Sequence, residues 1–204
     1  LFRSALLTGG ASANRFTVSG WTKGAVLSGA GGADTILSSN DASFSLSDAQ
    51  LVRSDGAIFN LVSIENALLT GGASSNLFIV SGWTKSATLD GQGGFDTVRS
   101  INDTSFVLAN GSLTRADGAN FTLIGIDNAE LTGGAGVNQF TVSGWTQTAA
   151  IDGQGGTDTI VMVSDTDVTL SDALINRSDS ANFTLISVEN AVVTRSEEHT
   201  SELQ

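Results

Sequence analysis

The sequence of 204 residues contains no cysteine, no proline and a single histidine. Without cysteine, both a disulfide scaffold and a thiolate metal site are excluded. No apolar run approaches the roughly 20 residues that a membrane-spanning helix needs, so membrane insertion is not expected. Basic residues are scarce, and the net charge is −12. Because such a surface repels phosphate backbones, nucleic acid is not an expected partner.

Both ends of the sequence resemble translated sequencing adapters. Residues 1–4 (LFRS) and 195–204 (RSEEHTSELQ) match the products of two common short-read adapters, and such segments are excluded from fold reasoning. We therefore expect 1–4 and 195–204 to be adapter-derived and the chain to be a metagenomic fragment. The single histidine, His199, lies in the second of these segments. Histidine catalysis therefore has no natural candidate.

The remaining sequence is dominated by a 62-residue repeat. Ala5-Leu6-Leu7-Thr8-Gly9-Gly10 returns in closely similar form at residues 67–72 and 129–134. The copies span 5–66, 67–128 and 129–190, and 191–194 begins a fourth. Self-similarity at a fixed period is typical of solenoids, propellers and repeat arrays. Glycine-rich turns and the absence of long runs of strong helix formers favour an all-β fold.

A shorter period of 20 residues lies inside each copy. It separates Leu7 from Leu27, and a third, weaker version begins at Leu51. We therefore predict a parallel β-helix (β-solenoid) with about three coils per copy, nine in all. Its neighbouring repeats are its principal partners, because no coil can bury its own apolar face alone. The pattern also predicts one inward column along the axis, formed by Phe16, Ile36, Phe59 and Phe78.

Glycine-rich turns carry the clearest motif in the sequence. Residues 29–37, 91–99 and 153–161 follow the pattern G-x-G-G-x-D-x-U-x, where U is a large apolar residue. The coil before each has a degenerate form with asparagine in place of the acid. The acidic and amide positions are Asp34, Asp96, Asp158, Asn14, Asn76 and Asn138.

These turns resemble the haemolysin-type calcium-binding (RTX) repeat family, whose nonapeptide reads G-G-x-G-x-D-x-U-x. In that family the ion lies between same-side turns of adjacent coils. The resemblance therefore implies that Asn14 and Asp34 face one Ca²⁺ ion, and that the pairs in the next two copies repeat the site. The departures are the isolated turns and the amides replacing half of the carboxylates. A metal-free stack of turns remains the alternative, because asparagine is also a good turn residue.

Two further series recur in phase with the repeat. The second acidic series comprises Asp41, Asp103 and Asp165 at one corner and Asp55, Asp117 and Asp179 in the turn of the third coil. These residues are either solvated turn residues or an extension of the ligand column. Each copy also has one tryptophan in a Ser-Gly-Trp-Thr segment: Trp21, Trp83 and Trp145. Exposed indoles about 14 Å apart along the coils would form a stacking surface for carbohydrate. Half-buried corner residues are the alternative.

The expected function is a structural stalk or spacer in a large adhesin-like protein of bacterial type, either secreted or at the cell surface. This expectation rests on the resemblance, which also implies that calcium stabilises the turns. A carbohydrate-binding module that presents the tryptophans, with surface glycans or proteins as partners, is the alternative. A fragment of a polysaccharide-degrading β-helix enzyme is more remote. An enzyme is not expected, because almost every acid occurs in triplicate and no catalytic position is unique.

Overall fold

The computed structural model describes residues 3–195 of the chain. These residues form 22 β-strands in two sheets, of twelve and ten strands, and most neighbouring strands are parallel. The expected all-β class is confirmed for this range. None of its residues form a helix long and apolar enough to cross a membrane. Of the expected adapter-derived residues, 1–2 and 196–204 lie outside the described residues.

The strands fall into three sets of seven, each offset by 62 residues from the one before, followed by one further strand. The first set is β1 (Ser4–Thr8), β2 (Arg15–Thr17), β3 (Gly24–Ser28), β4 (Thr35–Ser39), β5 (Phe44–Ser47), β6 (Gln50–Arg53) and β7 (Ile58–Val62). The second set is β8 (Asn66–Thr70), β9 (Leu77–Gly82), β10 (Ser86–Asp90), β11 (Thr97–Ile101), β12 (Phe106–Ala109), β13 (Ser112–Arg115) and β14 (Asn120–Ile124). The third set is β15 (Asn128–Thr132), β16 (Gln139–Gly144), β17 (Thr148–Asp152), β18 (Thr159–Val163), β19 (Val168–Ser171), β20 (Leu174–Arg177) and β21 (Asn182–Ile186), and β22 (Asn190–Thr194) follows it.

The predicted 20-residue register is confirmed in the first part of each set. Leu7 pairs with Leu27 across β1 and β3, and the same offset pairs Leu69 with Leu89 and Leu131 with Ile151. All these pairs are parallel. Residues that are 20 positions apart therefore lie on neighbouring strands of one sheet, about 4.8 Å apart.

The third segment of each copy differs from the expected parallel coil. Strands β5, β6 and β7 form a three-stranded antiparallel meander within one sheet, and the two later sets repeat it. A two-residue turn, Asp48-Ala49, reverses the chain after β5. A second reversal follows β6, where Gly56 has a φ of 91°, a conformation that costs glycine little. Leu51 therefore lies in a strand, β6, that runs opposite to its neighbours.

Because the three strands of the meander lie in one sheet, the chain crosses from one sheet to the other five times per set, which is an odd number. The first and third sets begin in the twelve-stranded sheet, and the second begins in the ten-stranded sheet. Equivalent residues of consecutive copies therefore lie in opposite sheets. The sequence prediction of three whole coils per copy did not include this alternation.

The predicted single aromatic column is wrong for the same reason. Phe16 pairs with Ile36 in the ten-stranded sheet, whereas Phe59 and Phe78 belong to the twelve-stranded sheet. All four side chains are nevertheless buried in one continuous apolar cluster that includes residues of both sheets. Each contributes roughly 1.5–3 kcal/mol by leaving water. The phenyl rings of Phe44 and Phe78 stack at 5.4 Å and join the first set to the second.

Candidate functional site

Two rows of turns connect the sheets. The outgoing turns lead from the twelve-stranded to the ten-stranded sheet and span 9–14, 29–34, 63–65, 83–85, 102–105, 133–138, 153–158 and 187–189. The return turns lead back and span 18–23, 40–43, 71–76, 91–96, 125–127, 145–147 and 164–167. Within one row, neighbouring turns form hydrogen bonds with each other, as between Gly31 and Gly10. The predicted site residues lie in these rows.

The structure brings each predicted Asn–Asp pair together. The backbone N–H of Asn14 donates to Oδ1 of Asp34 at 2.6 Å, and the N–H of Asp34 donates to Oε2 of Glu65 at 2.8 Å. Oδ1 of Asn14 accepts the N–H of Gly10 at 2.7 Å within its own turn. Each side chain thus satisfies a backbone donor that the tight turn would otherwise leave without a partner. We call this chain of contacts a polar ladder.

The polar ladder recurs in the later copies with an additional member. In the return turns, Asn76 donates its N–H to Asp96 at 2.7 Å, and Asp96 donates to Asp127 at 2.9 Å. Asp41 of the preceding copy accepts from the side-chain amide of Asn76 at 3.3 Å and from Ser74. The third polar ladder, in the outgoing turns, contains Asp103, Asn138, Asp158 and Glu189. Asp41 and Asp103 of the second acidic series therefore join the column at the two junctions between copies.

The sequence reasoning missed Glu65, Asp127 and Glu189, the final member of each polar ladder. Their signal was present in the sequence, because each precedes the phased residues Asn66, Asn128 and Asn190. The segments around them lack the glycine pattern, however. Nothing local therefore indicated that they would contact the glycine-rich turns.

A buried carboxylate lies at the centre of each polar ladder. Asp34, Asp96 and Asp158 have no solvent-exposed surface, and Oδ2 of each has no hydrogen-bond partner. For Asp96, burial is the main cause that raises the pKa of the carboxyl group, and the negative charges of Asp127, Asp41 and Asp90 raise it further. Hydrogen bonding from Asn76 opposes this shift. The charged form of Asp96 is therefore disfavoured inside the fold.

Glycine is required where the chain passes over this carboxylate. A Cβ atom at Gly91 would lie 2.2 Å from the carbonyl oxygen of Gly125 and 2.4 Å from Oδ2 of Asp96. Gly29 and Gly153 are equally crowded in the other copies. The glycines of the nonapeptide thus allow the backbone to approach a buried carboxylate closely, which no larger residue would permit.

The oxygens of the six predicted calcium ligands are largely committed to backbone donors. Calcium takes about six to eight oxygen ligands. In the second polar ladder, Oδ1 of Asn76, Oδ1 of Asp96 and Oδ2 of Asp127 each accept an N–H, which leaves Oδ2 of Asp96 without a donor. Within residues 3–195, no group of three or more His, Cys, Asp or Glu side chains converges as a metal-binding cluster. These oxygens therefore serve as hydrogen-bond acceptors for the turns.

Comparison with known proteins provides no family assignment. No protein-family model matches the chain. The curated proteins contain no significant match.

The tryptophans do not form an exposed ladder. Trp83 and Trp145 are completely buried, and Trp21 is half-buried against the core. Each indole N–H donates to a backbone carbonyl three residues later, at 2.9–3.2 Å. Trp83 lies in the outgoing turns, whereas Trp21 and Trp145 lie in the return turns. The expected spacing of 14 Å along one face is therefore wrong, and the buried indole faces have no room for a sugar ring.

A buried arginine in each meander is the second feature that the sequence reasoning missed. Arg115 is 4% exposed, and its guanidinium donates to the carbonyl oxygens of Val80 and Trp83 at 3.0 and 2.7 Å. It also binds Asn102 and pairs with the partly exposed Asp117 at 2.8 Å. Burial raises the pKa of Asp117, but the hydrogen bond and charge of Arg115 outweigh it, and the net pKa is lowered. Arg53 makes the equivalent contacts in the first copy.

The third copy retains the arginine but loses part of its environment. Met162 and Ser164 replace the serine and asparagine that bind the guanidinium in the first two copies. Arg177 still donates to the carbonyl oxygen of Trp145 at 3.0 Å and pairs with Asp179. Its buried Nε, however, has no hydrogen-bond partner. An unsatisfied buried donor of this kind costs about 1–3 kcal/mol.

The outer face of the ten-stranded sheet contains a shallow groove of about 340 Å³. Its lining is uncharged: Thr35, Asn66, Ala67, Leu68, Ser86, Ala87, Thr88, Ser112, Asn120, Phe121 and Thr122. General acid–base catalysis needs titratable groups that converge on a substrate. This groove brings no such group to its surface.

Proposed function

We propose that the chain is a structural stalk or spacer from a large extracellular, adhesin-like protein of bacterial type. In this proposal the 62-residue copies wind as a β-solenoid (parallel β-helix) interrupted by one antiparallel meander per copy. The observation that carries it is the repetition of a polar ladder and a buried arginine in every copy, together with the contacts of Asp41 and Asp103 that join each copy to the next. A device repeated in every copy serves an extended scaffold better than it serves a single catalytic centre.

A copy-number variant tests the spacer role. Seven strands shared by two sheets correspond to three and a half strand spacings, so a duplicated segment 67–128 should lengthen the rod by about 17 Å. Small-angle X-ray scattering would measure the maximum dimension of both proteins. A variant that folds with unchanged dimensions would contradict the proposal. As a control, the same segment with Gly91→Ala and Arg115→Met should not extend the rod, because that copy would fold poorly.

We propose that the turns work without bound calcium, in contrast to what the RTX resemblance implies. The support is that the amide and carboxylate oxygens already accept backbone N–H groups in all three polar ladders. The melting temperature should be the same in excess Ca²⁺ and in excess chelator. If the ion binds the folded state, a hundredfold excess over Kd would add about 2.7 kcal/mol. A calcium-dependent increase that Asp96→Asn abolishes would overturn this part of the proposal.

Carbohydrate binding through the tryptophans is the less supported alternative, because two of the three indoles are completely buried. A glycan array tests it directly. The spacer proposal expects no binding that depends on Trp21, the half-buried member of the series. Binding that Trp21→Ala abolishes, with an unchanged melting temperature, would favour the carbohydrate module. A polysaccharide-degrading activity has even less support, since the buried acids recur at equivalent positions in every copy.

A further inference from the structure

Asn110 and Gly111 form the two-residue turn of the hairpin between β12 and β13. Both residues are exposed, and Ala109 pairs with Ser112 to close the turn. No atom lies within 4 Å of the position that a Cβ of Gly111 would occupy. This side of Gly111 therefore faces open space, and its backbone nitrogen follows Asn110 directly in the chain. This is the only Asn-Gly pair in the sequence.

The side chain of Asn110 joins the second copy to the third. Its Oδ1 accepts the backbone N–H of Thr146 at 2.9 Å, and its Nδ2 donates to Oγ1 of Thr146 at 2.8 Å. In the first copy, aspartate takes the same position. Asp48 accepts the N–H of Thr84 at 2.9 Å and its hydroxyl at 2.7 Å. The junction therefore accommodates a carboxylate as well as an amide.

We propose that Asn110 is a site of spontaneous deamidation and that the fold retains the aspartate product. The backbone nitrogen of Gly111 loses its proton to solvent base and attacks Cγ of Asn110. A bond from this nitrogen to Cγ forms, the bond from Cγ to Nδ2 breaks, and ammonia leaves. Water then opens the cyclic imide. The net reaction consumes one water, releases one ammonia and involves no redox change.

The two ring-opening products have different consequences for the turn. Attack of water at Cγ restores the normal backbone and leaves a carboxylate, which can accept the N–H and hydroxyl of Thr146 as Asp48 does with Thr84. Attack at the backbone carbonyl gives isoaspartate, which lengthens the main chain by one methylene. That insertion disturbs the pairing of Ala109 with Ser112. The junction between copies therefore tolerates the first product and is weakened by the second.

The test is incubation of the intact protein in mildly alkaline buffer, followed by peptide mapping with mass spectrometry. We expect the peptide containing Asn110 to acquire the mass change of NH₂ replaced by OH, whereas peptides containing the other asparagines remain unchanged. Gly111→Ala should lose this conversion and still fold, because alanine occupies the equivalent position 49 in the first copy. Thr146→Ala should accelerate it, because the substitution removes the hydrogen bonds between the side chain of Asn110 and the threonine hydroxyl.

Two results would overturn the proposal. One is an unchanged Asn110 in the folded protein under conditions in which the urea-denatured chain converts. The other is a melting temperature of Asn110→Asp clearly below that of the unmodified protein, because the carboxylate would then not be accommodated. The proposal is independent of the spacer function, since it concerns one turn and leaves the dimensions of the rod unchanged.

Discussion

Replacing the buried Arg115 by methionine should destabilise the protein by about 1–4 kcal/mol. The unbranched methionine fills much of the vacated space, so the loss is mainly polar. The carbonyl oxygen of Trp83 loses the guanidinium as its hydrogen-bond donor, which costs about 1–3 kcal/mol. The partly exposed pair with Asp117 contributes about a further 0.2–1 kcal/mol. The other acceptors of Arg115 each retain a second hydrogen bond within the protein.

The third copy provides an internal comparison. Arg177→Met removes the donor of Trp145 but also removes the unsatisfied Nε, and these two effects of about 1–3 kcal/mol oppose each other. We therefore expect Arg177→Met to cost at least about 1 kcal/mol less than Arg115→Met. Arg99→Met is the matched control, because its partly exposed pair with Glu130 should be worth no more than about 1 kcal/mol.

Equilibrium unfolding in urea, followed by tryptophan fluorescence, would measure these differences. Trp83 and Trp145 contact the two arginines directly, so the fluorescence reports on the altered region. Equal losses for Arg115→Met and Arg177→Met would refute the reasoning, because the unsatisfied Nε would then have no energetic consequence. A loss for Arg99→Met as large as that for Arg115→Met would show that burial is not the deciding factor.

Three further predictions concern the turns. Gly91→Ala should lower the melting temperature markedly because its Cβ would overlap the carbonyl oxygen of Gly125, whereas Gly20→Ala, with open space around it, should have little effect. Asp96→Asn should stabilise the protein at neutral pH, because the raised pKa of Asp96 means that ionisation of the wild-type carboxyl group opposes folding. An equal gain in stability at pH 3, where the side chain is neutral in both proteins, would contradict this cause. The hydrogen bond from Arg53 lowers the pKa of Asp55 from its usual value of 3.8. The ionised Asp55 therefore stabilises the fold above pH 3.8, and this stabilisation is lost as the pH falls below that value. Acid melts of Asp55→Asn should accordingly depend less on pH than those of the wild type, and parallel curves would contradict this assignment.

The sequence predicted the elements that follow the 20-residue period. Leu7 and Leu27 pair as expected because identical turns of fixed length place equivalent residues on adjacent strands. The partnership of Asn14 with Asp34 follows from the same register. What could not be predicted from periodicity was the role of each oxygen. An asparagine that accepts a hydrogen bond within its own turn and an asparagine that binds an ion recur at the same spacing in the sequence. Periodicity alone therefore does not distinguish the two roles.

The meander and the buried arginine were harder to predict for a different reason. Asn-Gly between two short strands is a known hairpin signal, and residues 110–111 carried it in the second copy. The first copy has Asp48-Ala49 at that place, which is a weaker signal. Arg53 and Asp55 recur in phase, but an arginine next to a turn normally lies in solvent. Its burial depends on carbonyl groups more than 30 residues away in the sequence.

The odd number of passes per copy has a consequence for how such a chain can change in length. Losing or gaining one 62-residue unit transfers every downstream strand to the opposite sheet, whereas a change of two units restores the original orientation. The strand that begins the next unit therefore lies in one sheet after an even number of units and in the other sheet after an odd number. A change in the number of these similar units would therefore alter both the number of stacked strands and the sheet in which later strands lie.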